Sequence, residues 1–269
     1  MVLMNIQASS PILLFDSGVG GLSVFAELNR LLPNASVIYA ADLAGLPYGS
    51  KTEPQIAARV TGLLGRMSER YKPRLICIAC NTASTIALEM VRDVLEVPIV
   101  GTVPAIKPAA SLTKTGVIGL LGTEATIRQH YVDNLEAQFA SDKTLLRLAA
   151  PELVGAAEGK LRGLPVDMAV VEDAAKRLQN MAGDKEIDTL VLACTHFPLL
   201  GTELHQVFGK KVSLLHGAGG IARQIARLVE GQTFDRRAGR RAVMTGDPSD
   251  FQRLTKVFST YGIDQIEQF

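Results

Sequence analysis

Two thiols in this chain stand in the same local setting. Leu75-Ile76-Cys77-Ile78-Ala79-Cys80-Asn81-Thr82 and Thr189-Leu190-Val191-Leu192-Ala193-Cys194-Thr195-His196 are each an apolar run ending in Ala-Cys. Two small polar or ionisable residues follow in each case, and then a helix is expected. A thiol held where a strand hands over to a helix meets backbone N–H groups that favour anionic sulfur, which lowers its pKa from the usual ~8.5. A single such cysteine reads as a small core residue. Two at matching positions of a repeat read as functional, a pair of ionisable thiols suited to acid–base work, because strand ends carry the sites of open α/β sheets. Cys77 has no counterpart, since Val191 occupies the matching place, and reads as core.

Other chemistries fit the same residues less well. Cys77 and Cys80 form a Cys-x-x-Cys spacing, the mark of a redox pair, but that motif opens a helix with its first cysteine and Cys77 lies inside a strand. Alternation also sends the two side chains to opposite faces of an extended segment. A metal held by Cys80, Cys194 and His196 would lack a clear fourth ligand and the paired spacing of zinc sites, so no metal is expected. Gly18-Val19-Gly20-Gly21 suggests a phosphate loop, yet Ser23 stands where the third glycine of G-x-G-x-x-G belongs, and no Walker A sequence occurs. Asp16-Ser17-Gly18 remains a polar strand end aimed at a helix N-terminus, a good place for a carboxylate ligand. An ordinary N-cap is the alternative.

The elements that must position these residues alternate. Ile12–Phe15, Val37–Ala40, Leu75–Ala79, Ile99–Val100, Gly116–Leu121, Leu145–Leu148, Thr189–Ala193 and Val212–Leu215 read as strands. Leu22–Leu32, Pro54–Tyr71, Thr82–Leu95, Ala125–Phe139, Val166–Met181 and Ile221–Leu228 carry helical spacing, and Asp247-Pro248-Ser249-Asp250 introduces a last helix over Phe251–Phe258. Such alternation predicts an α/β fold with mostly parallel sheets. Leu13–Gly18 and Ile118–Thr123 form a second, looser echo, so two similar α/β domains are expected, with the active site in the interdomain cleft outside the carboxyl ends of their strands.

The composition narrows the partners. The chain has 269 residues, 47% of them apolar, which suffices for one large or two medium domains. A net charge of +1 argues against broad binding to nucleic acid or anionic lipid. No run reaches the roughly 18 apolar residues of a membrane span, and the N-terminus lacks a basic leader region. A cytoplasmic protein with three reduced cysteines is expected.

The assembled motifs resemble the bacterial glutamate racemase family over most of the chain. The match runs through Phe15–Ser23, Pro47-Tyr48-Gly49-Ser50-Lys51, Ala79-Cys80-Asn81-Thr82-Ala83-Ser84, Gly122-Thr123 to Thr126, Ala193-Cys194-Thr195-His196-Phe197-Pro198-Leu199-Leu200 and Thr245-Gly246-Asp247-Pro248. Each motif is weak alone; six in order are specific. The resemblance implies an enzyme without cofactor that interconverts L- and D-glutamate and supplies D-glutamate for peptidoglycan. Carried over, Cys80 would take the α-proton of D-glutamate and Cys194 that of L-glutamate, with Asp16 assisting the first and His196 the second. Ser17, Pro47, Tyr48, Gly49, Asn81, Thr82, Thr123, Thr126 and Thr195, with Asp16 and His196, would hold the substrate. It also implies that the C-terminal segment returns to the first domain, giving 1–104 plus 215–269 and 105–214.

One stretch departs from the family pattern. Ala150-Pro151-Glu152-Leu153-Val154-Gly155-Ala156-Ala157-Glu158 replaces a Cys-Pro segment leading to Pro-Leu-Val-Glu, so that Glu158, and not Glu152, falls at the auxiliary glutamate. A smaller, more flexible wall is expected there, and a solvated helix residue is the competing account of Glu158. The chemistry itself needs two groups: inverting a stereocentre requires proton removal on one face and delivery on the other, by one thiolate and one thiol. Asp16 near Cys80 would oppose thiolate formation, so binding the substrate ammonium or moving a proton is its expected role. Hydroxyls and backbone N–H groups are the expected donors to the developing enediolate. Three alternatives stay open: a two-cysteine racemase acting on aspartate or hydantoins, a thiol oxidoreductase, and a regulator that binds DNA gyrase, as is attributed to some family members. Arg236, Arg237, Arg240 and Arg241 form the one compact basic cluster, for which a solvated loop is the commoner origin. A homodimer is equally open.

Overall fold

A computed structural model describes residues 7–235 and 239–269. The order opens with β1 (Ile12–Asp16), α1 (Leu22–Leu31), β2 (Val37–Asp42), α2 (Glu53–Tyr71), β3 (Leu75–Ile78), α3 (Asn81–Val94) and β4 (Ile99–Gly101). It continues with α4 (Ile106–Leu112), β5 (Val117–Gly122), α5 (Glu124–Ile127), α6 (His130–Phe139), β6 (Thr144–Ala149), α7 (Glu152–Leu161), α8 (Met168–Ala182) and β7 (Thr189–Ala193). Then come α9 (Gly201–Phe208), β8 (Ser213–Leu215), α10 (Ala218–Leu228), β9 (Arg240–Thr245), α11 (Pro248–Thr260) and β10 (Gln265–Gln268). The fold is mixed α/β with two parallel sheets.

The chain divides into two compact units, one formed by Met1–Thr102 with Ala218–Phe269 and the other by Val103–Gly217. In the first, six parallel strands lie in the order β10-β9-β2-β1-β3-β4. β1, β2 and β3 are buried along their whole length, as expected of strands covered by helices on both faces. One core face joins Leu13, Phe15, Ile76 and Ile78 to Val60, Leu64 and Met67 of α2 and Ala83, Ala87 and Val91 of α3. Local signals fix α2: Thr52 and Gln55 form a reciprocal capping box, Pro54 sits in the first turn, and Lys72 ends the helix at φ 45°.

The second unit has four parallel strands in the order β6-β5-β7-β8. This order reproduces β2-β1-β3-β4, so the sequence echo corresponds to a repeated topology in which β5 answers β1 and β7 answers β3. Leu121, Leu190 and Leu192 pack on Leu153, Ala157, Val171 and Leu178 of α7 and α8 on one face. Ile118, Leu120 and Val191 pack on Ile106, Ala109 and Val132 on the other.

The structure departs from the sequence expectations in several places. The helix expected over Ala125–Phe139 is two, because Gln129 is extended (φ −70°, ψ 136°) and the buried positions on either side, Thr126 and Val132, are out of helical phase. α4, α7, α9, β9 and β10 lie outside the elements that the sequence pattern predicts. Arg240 and Arg241 open strand β9 and do not lie in a solvated loop: Arg241 lies over the Tyr71 ring at 5.2 Å and faces Glu267 of β10 at 3.9 Å. Arg236 and Arg237 fall outside the described residues. No helix among the described residues is long and apolar enough to cross a membrane.

Candidate active site

In the first unit the chain reverses its direction of travel across the sheet between β1 and β3, which is where α/β sheets open a crevice at their carboxyl ends. The register Ile12↔Leu75 through Phe15↔Ile78, continued by Ala79 N–H donating to the Phe15 carbonyl at 2.8 Å, sets Asp16-Ser17 beside Ala79-Cys80. Cys80 is the N-cap of α3, and its Sγ accepts from the Ala83 N–H at 3.5 Å and lies 3.5 Å from Ser17 Oγ. A helix N-terminus therefore meets this sulfur directly, favouring its anion. Asn81 and Thr82 follow in the first turn, both buried.

Asp16 is fully buried and does not cap α1; its Oδ1 accepts from the Gly18 N–H at 2.9 Å in a tight turn. The N-cap of α1 is Gly21, where a side chain would come within 2.8 Å of Asp16 Cβ and 2.9 Å of Tyr39 Oη. That contact, and not a phosphate, accounts for one glycine of the loop. Cys77 lies within β3 with no exposure at all, and burial together with the negative charge of Asp16 pushes its thiol far above the usual range. Cys80 keeps 5% and Cys194 7% exposure, so the fully sequestered thiol is the one without a repeat partner.

The Pro47–Ser50 segment packs against α3 by a single 3₁₀ turn, Tyr48–Ser50. Tyr48 is buried, and its hydroxyl donates to Asp42 Oδ2 at 2.6 Å. Burial first, then the charge of Asp42, raises its phenol strongly. Pro47 is exposed and Gly49 half-buried.

In the second unit β5 and β7 play the parts of β1 and β3, with Gly122 opposite Ala193. Thr123 follows one strand and Cys194 the other. Thr123 caps α5, and its hydroxyl meets that of Thr126 at 2.9 Å; Thr126 is fully buried behind it. Cys194 differs from Cys80 in its surroundings. No α-helix begins at it; Thr195 and His196 lead into a 3₁₀ turn over Phe197–Leu200, with Pro198 in its first turn, before α9 starts. The expected helix-start environment is thus absent at Cys194, and His196 takes its place, with Nδ1 3.8 Å from the sulfur.

The opposite nitrogen of His196 faces Glu158 Oε1 at 2.8 Å, and Arg162 Nη1 lies 2.6 Å from Glu158 Oε2. Glu158 is 5% exposed on a regular helix, which removes the solvated account of it. Glu152 instead pairs with Arg177 of α8 at the far end of α7. Lys160 holds α7 in place, donating to the Leu199 carbonyl at 2.9 Å and pairing with Glu203 at 2.7 Å. The result is a line from thiol to imidazole to carboxylate to guanidinium, able to pass a proton or stabilise a thiolate.

The sequence does not single out Asp42, Arg59 or Arg162, and it marks Thr245 only as part of a matched motif, with no role. A signal for Asp42 existed, since Val37-Ile38-Tyr39-Ala40-Ala41-Asp42 ends an apolar strand with a carboxylate as Asp16 does. Arg162 is one helical turn beyond Glu158, a pairing visible only once α7 is recognised as a helix.

Two clusters of this kind, each at the same point of a repeated sheet, prompt comparison with known proteins. A glutamate racemase of Sphingopyxis alaskensis is 56% identical over 259 residues, covering 96% of this chain and 97% of the relative. One of Escherichia coli O139:H28 is 41% identical over 262 residues, covering 96% and 90%. Among solved structures, the Escherichia coli glutamate racemase in complex with L-glutamate and the activator UDP-MurNAc-Ala superposes with a TM-score of 0.89 at 40% identity, covering 97% of this chain and 98% of that one. A glutamate racemase isoform from Bacillus anthracis gives 0.81 at 28%, covering 98% of both. The model of Asp/Glu/Hydantoin racemases matches residues 12–225, a span holding both thiols and both sheet crossings, and the chain belongs to that family.

Proposed function

We propose that this protein is a cofactor-independent glutamate racemase in which Cys80 and Cys194 address one α-carbon from opposite faces. One observation carries the reading: both thiols stand at the carboxyl ends of equivalent strands, β3 and β7, in a chain 56% identical to a glutamate racemase. In the direction from L-glutamate, the Cys194 thiolate takes the α-proton, the C–H electron pair passes into the carboxylate as an enediolate, and the Cys80 thiol delivers its proton to the other face. The enzyme is left with thiol and thiolate exchanged, ready for the D-enantiomer.

His196, backed by Glu158, is the group placed to exchange a proton beside Cys194, while the α3 N-terminus faces Cys80. Asp16, Ser17, Asn81, Thr82, Thr123 and Thr195, with the Pro47–Gly49 segment, hold the substrate, and Thr126 supports Thr123. General acid–base catalysis is worth about 10²–10⁴-fold, so hydroxyls and backbone N–H groups must stabilise the enediolate as well. The product would feed peptidoglycan synthesis in the cytoplasm. Glutamate is favoured over aspartate or hydantoins because the relatives at 41–56% identity are named for glutamate.

The test is isotope exchange without added cofactor. In heavy water, both glutamate enantiomers should acquire α-deuterium and interconvert, and both Cys80→Ser and Cys194→Ser should lose turnover. Exchange with aspartate alone would overturn the substrate, and full activity of either serine variant would overturn the thiol pair.

A further inference from the structure

We infer that Asp42, Arg59 and Thr245 are positioning residues for substrate binding: they lock the Tyr48 hydroxyl inward, so that the Pro47–Gly49 segment meets a substrate carboxylate by other atoms than that hydroxyl. The inference rests on the proposed function, which makes this segment part of the substrate site.

Four elements converge on one carboxylate. Asp42 ends β2 and is fully buried. Its Oδ2 accepts from Arg59 Nε at 2.5 Å and Tyr48 Oη at 2.6 Å; its Oδ1 accepts from Arg59 Nη2 at 2.6 Å and from Thr245 Oγ1. A carboxylate offers about four acceptor directions, and four donors occupy them. Burial would raise the Asp42 carboxyl, but the hydrogen bonds from Arg59, Thr245 and Tyr48 and the charge of Arg59 outweigh it and hold it below the ordinary value. It is a fixed anion with no free direction for proton transfer.

This has a consequence for Tyr48. A phenol has one proton to donate, and here Asp42 receives it. A substrate carboxylate only accepts, so the Tyr48 hydroxyl cannot bond it. The side chain is an anchor, and the exposed Pro47, the half-buried Gly49 and the main chain are what the segment offers a ligand.

The chain is also drawn tightly over the cluster. A side chain at Gly45 would lie 2.2 Å from Asp42 Oδ2 and 2.7 Å from both Arg59 Nε and Tyr48 Cε1. Thr245 Oγ1, besides donating to Asp42, accepts from the Ala44 N–H at 3.1 Å. Thr245 ends β9, a strand from the C-terminal segment, and Arg59 comes from the middle of α2. Loop, helix and returning strand therefore share one ion. Apolar residues could fill such a place with equal or greater stability; what a buried ion with directed bonds adds is a single geometry for the segment it holds.

The experiment compares Thr245→Val, Tyr48→Phe, Asp42→Ala, Asp42→Asn and Arg59→Lys with the wild type, measuring kcat and KM for both enantiomers and the melting temperature. Thr245→Val is near-isosteric and should fold even if Asp42→Ala does not. Tyr48→Phe removes one hydrogen bond and Thr245→Val two, the one to Asp42 and the one from the Ala44 N–H; each should raise KM by about five- to tenfold or more, with kcat within about twofold and the pH profile unmoved. Asp42→Asn, which keeps an acceptor oxygen, should recover most of what Asp42→Ala loses. Lowered melting temperatures with unchanged KM would overturn the inference in favour of a purely structural cluster. A fall in kcat exceeding the rise in KM for Tyr48→Phe would overturn it in favour of a hydroxyl acting on the reacting atoms. Wild-type protein inactive on glutamate would instead overturn the function on which the inference rests, whatever the variants do.

Discussion

Around the two sulfurs the supporting groups are unlike. Cys80 has a helix N-terminus and the Ser17 hydroxyl; Cys194 has His196, Glu158 and Arg162. If Cys194 acts on L-glutamate, damage to its relay should show a directional signature, but not in kcat/KM. The enantiomers have equal free energy, so a catalyst must change kcat/KM equally in both directions. His196→Asn is therefore expected to lower kcat/KM on the order of 10²-fold for both substrates, with the α-deuterium isotope effect rising for L-glutamate only. Glu158→Gln, which removes one charge-assisted bond, should cost on the order of tenfold, and Arg162→Gln less. Equal isotope effects from both enantiomers after His196→Asn would move the relay away from proton transfer at Cys194. At this scale the thiols were legible because they repeat, and Glu158 because of its position in a motif. Arg162 was not, since its pairing with Glu158 depends on a helix that the pattern does not reveal, while Asp42 carries a signal, a carboxylate closing an apolar strand, but its four donors are defined by geometry alone.

Elements are legible in proportion to the apolar pattern that they carry. The eight apolar runs correspond to β1 to β8, although the edge strands β6 and β8 are only half-buried. β10, Gln265-Ile266-Glu267-Gln268, is a polar edge strand with two of its four residues exposed, and β9 begins with two arginines; neither has the hydrophobic pattern by which a strand is recognised. α7 was missed because Gly155 and Gly159 lower its helical propensity. Polar residues between elements carry their own consequences. Asp188, just before β7, accepts from Thr113 Oγ1 and Lys114 N at 2.6 Å, and from Thr115 N and Thr189 Oγ1 at 3.0 Å. It ties the entry of β5 to that of β7, whose far ends present Thr123 and Cys194.

Partial burial would raise the Asp188 carboxyl, but these bonds outweigh it and bring it down to about 2. A depressed folded value means that the stabilisation is complete above the unfolded value, near 3.9, and is lost as pH falls toward the folded one. Asp188→Asn should thus lower unfolding stability by about 1–3 kcal/mol at neutral pH, with the deficit shrinking between pH 4 and pH 2. Urea titrations across that range would show it; a deficit independent of pH would mean that the charge of Asp188 contributes nothing. Gly21→Ala tests a different kind of constraint. Its methyl group would press on Asp16 and Tyr39, so a loss of roughly 1–3 kcal/mol is expected in the same assay, and turnover should fall with it as Asp16 is displaced.

For the molecule as a whole, the repeat is the organising fact. The order β2-β1-β3-β4 recurs as β6-β5-β7-β8, and each copy carries one thiol after its third strand in sequence. β9 and β10 extend the first sheet alone, by a segment that returns after the second unit is complete. A single thiol at one strand end can remove a proton and return it to the same face. Inversion needs a second thiol, and under the proposed function the second copy of the repeat supplies it from the same chain. This leads to a complementation test on full-length protein. Cys80→Ser and Cys194→Ser chains, each inactive as a racemase, should stay inactive when mixed in equal amounts, at any concentration and after joint refolding. Turnover that appears on mixing would show that thiols of two copies meet at one carbon, and the reacting pair would then belong to an assembly and not to the chain.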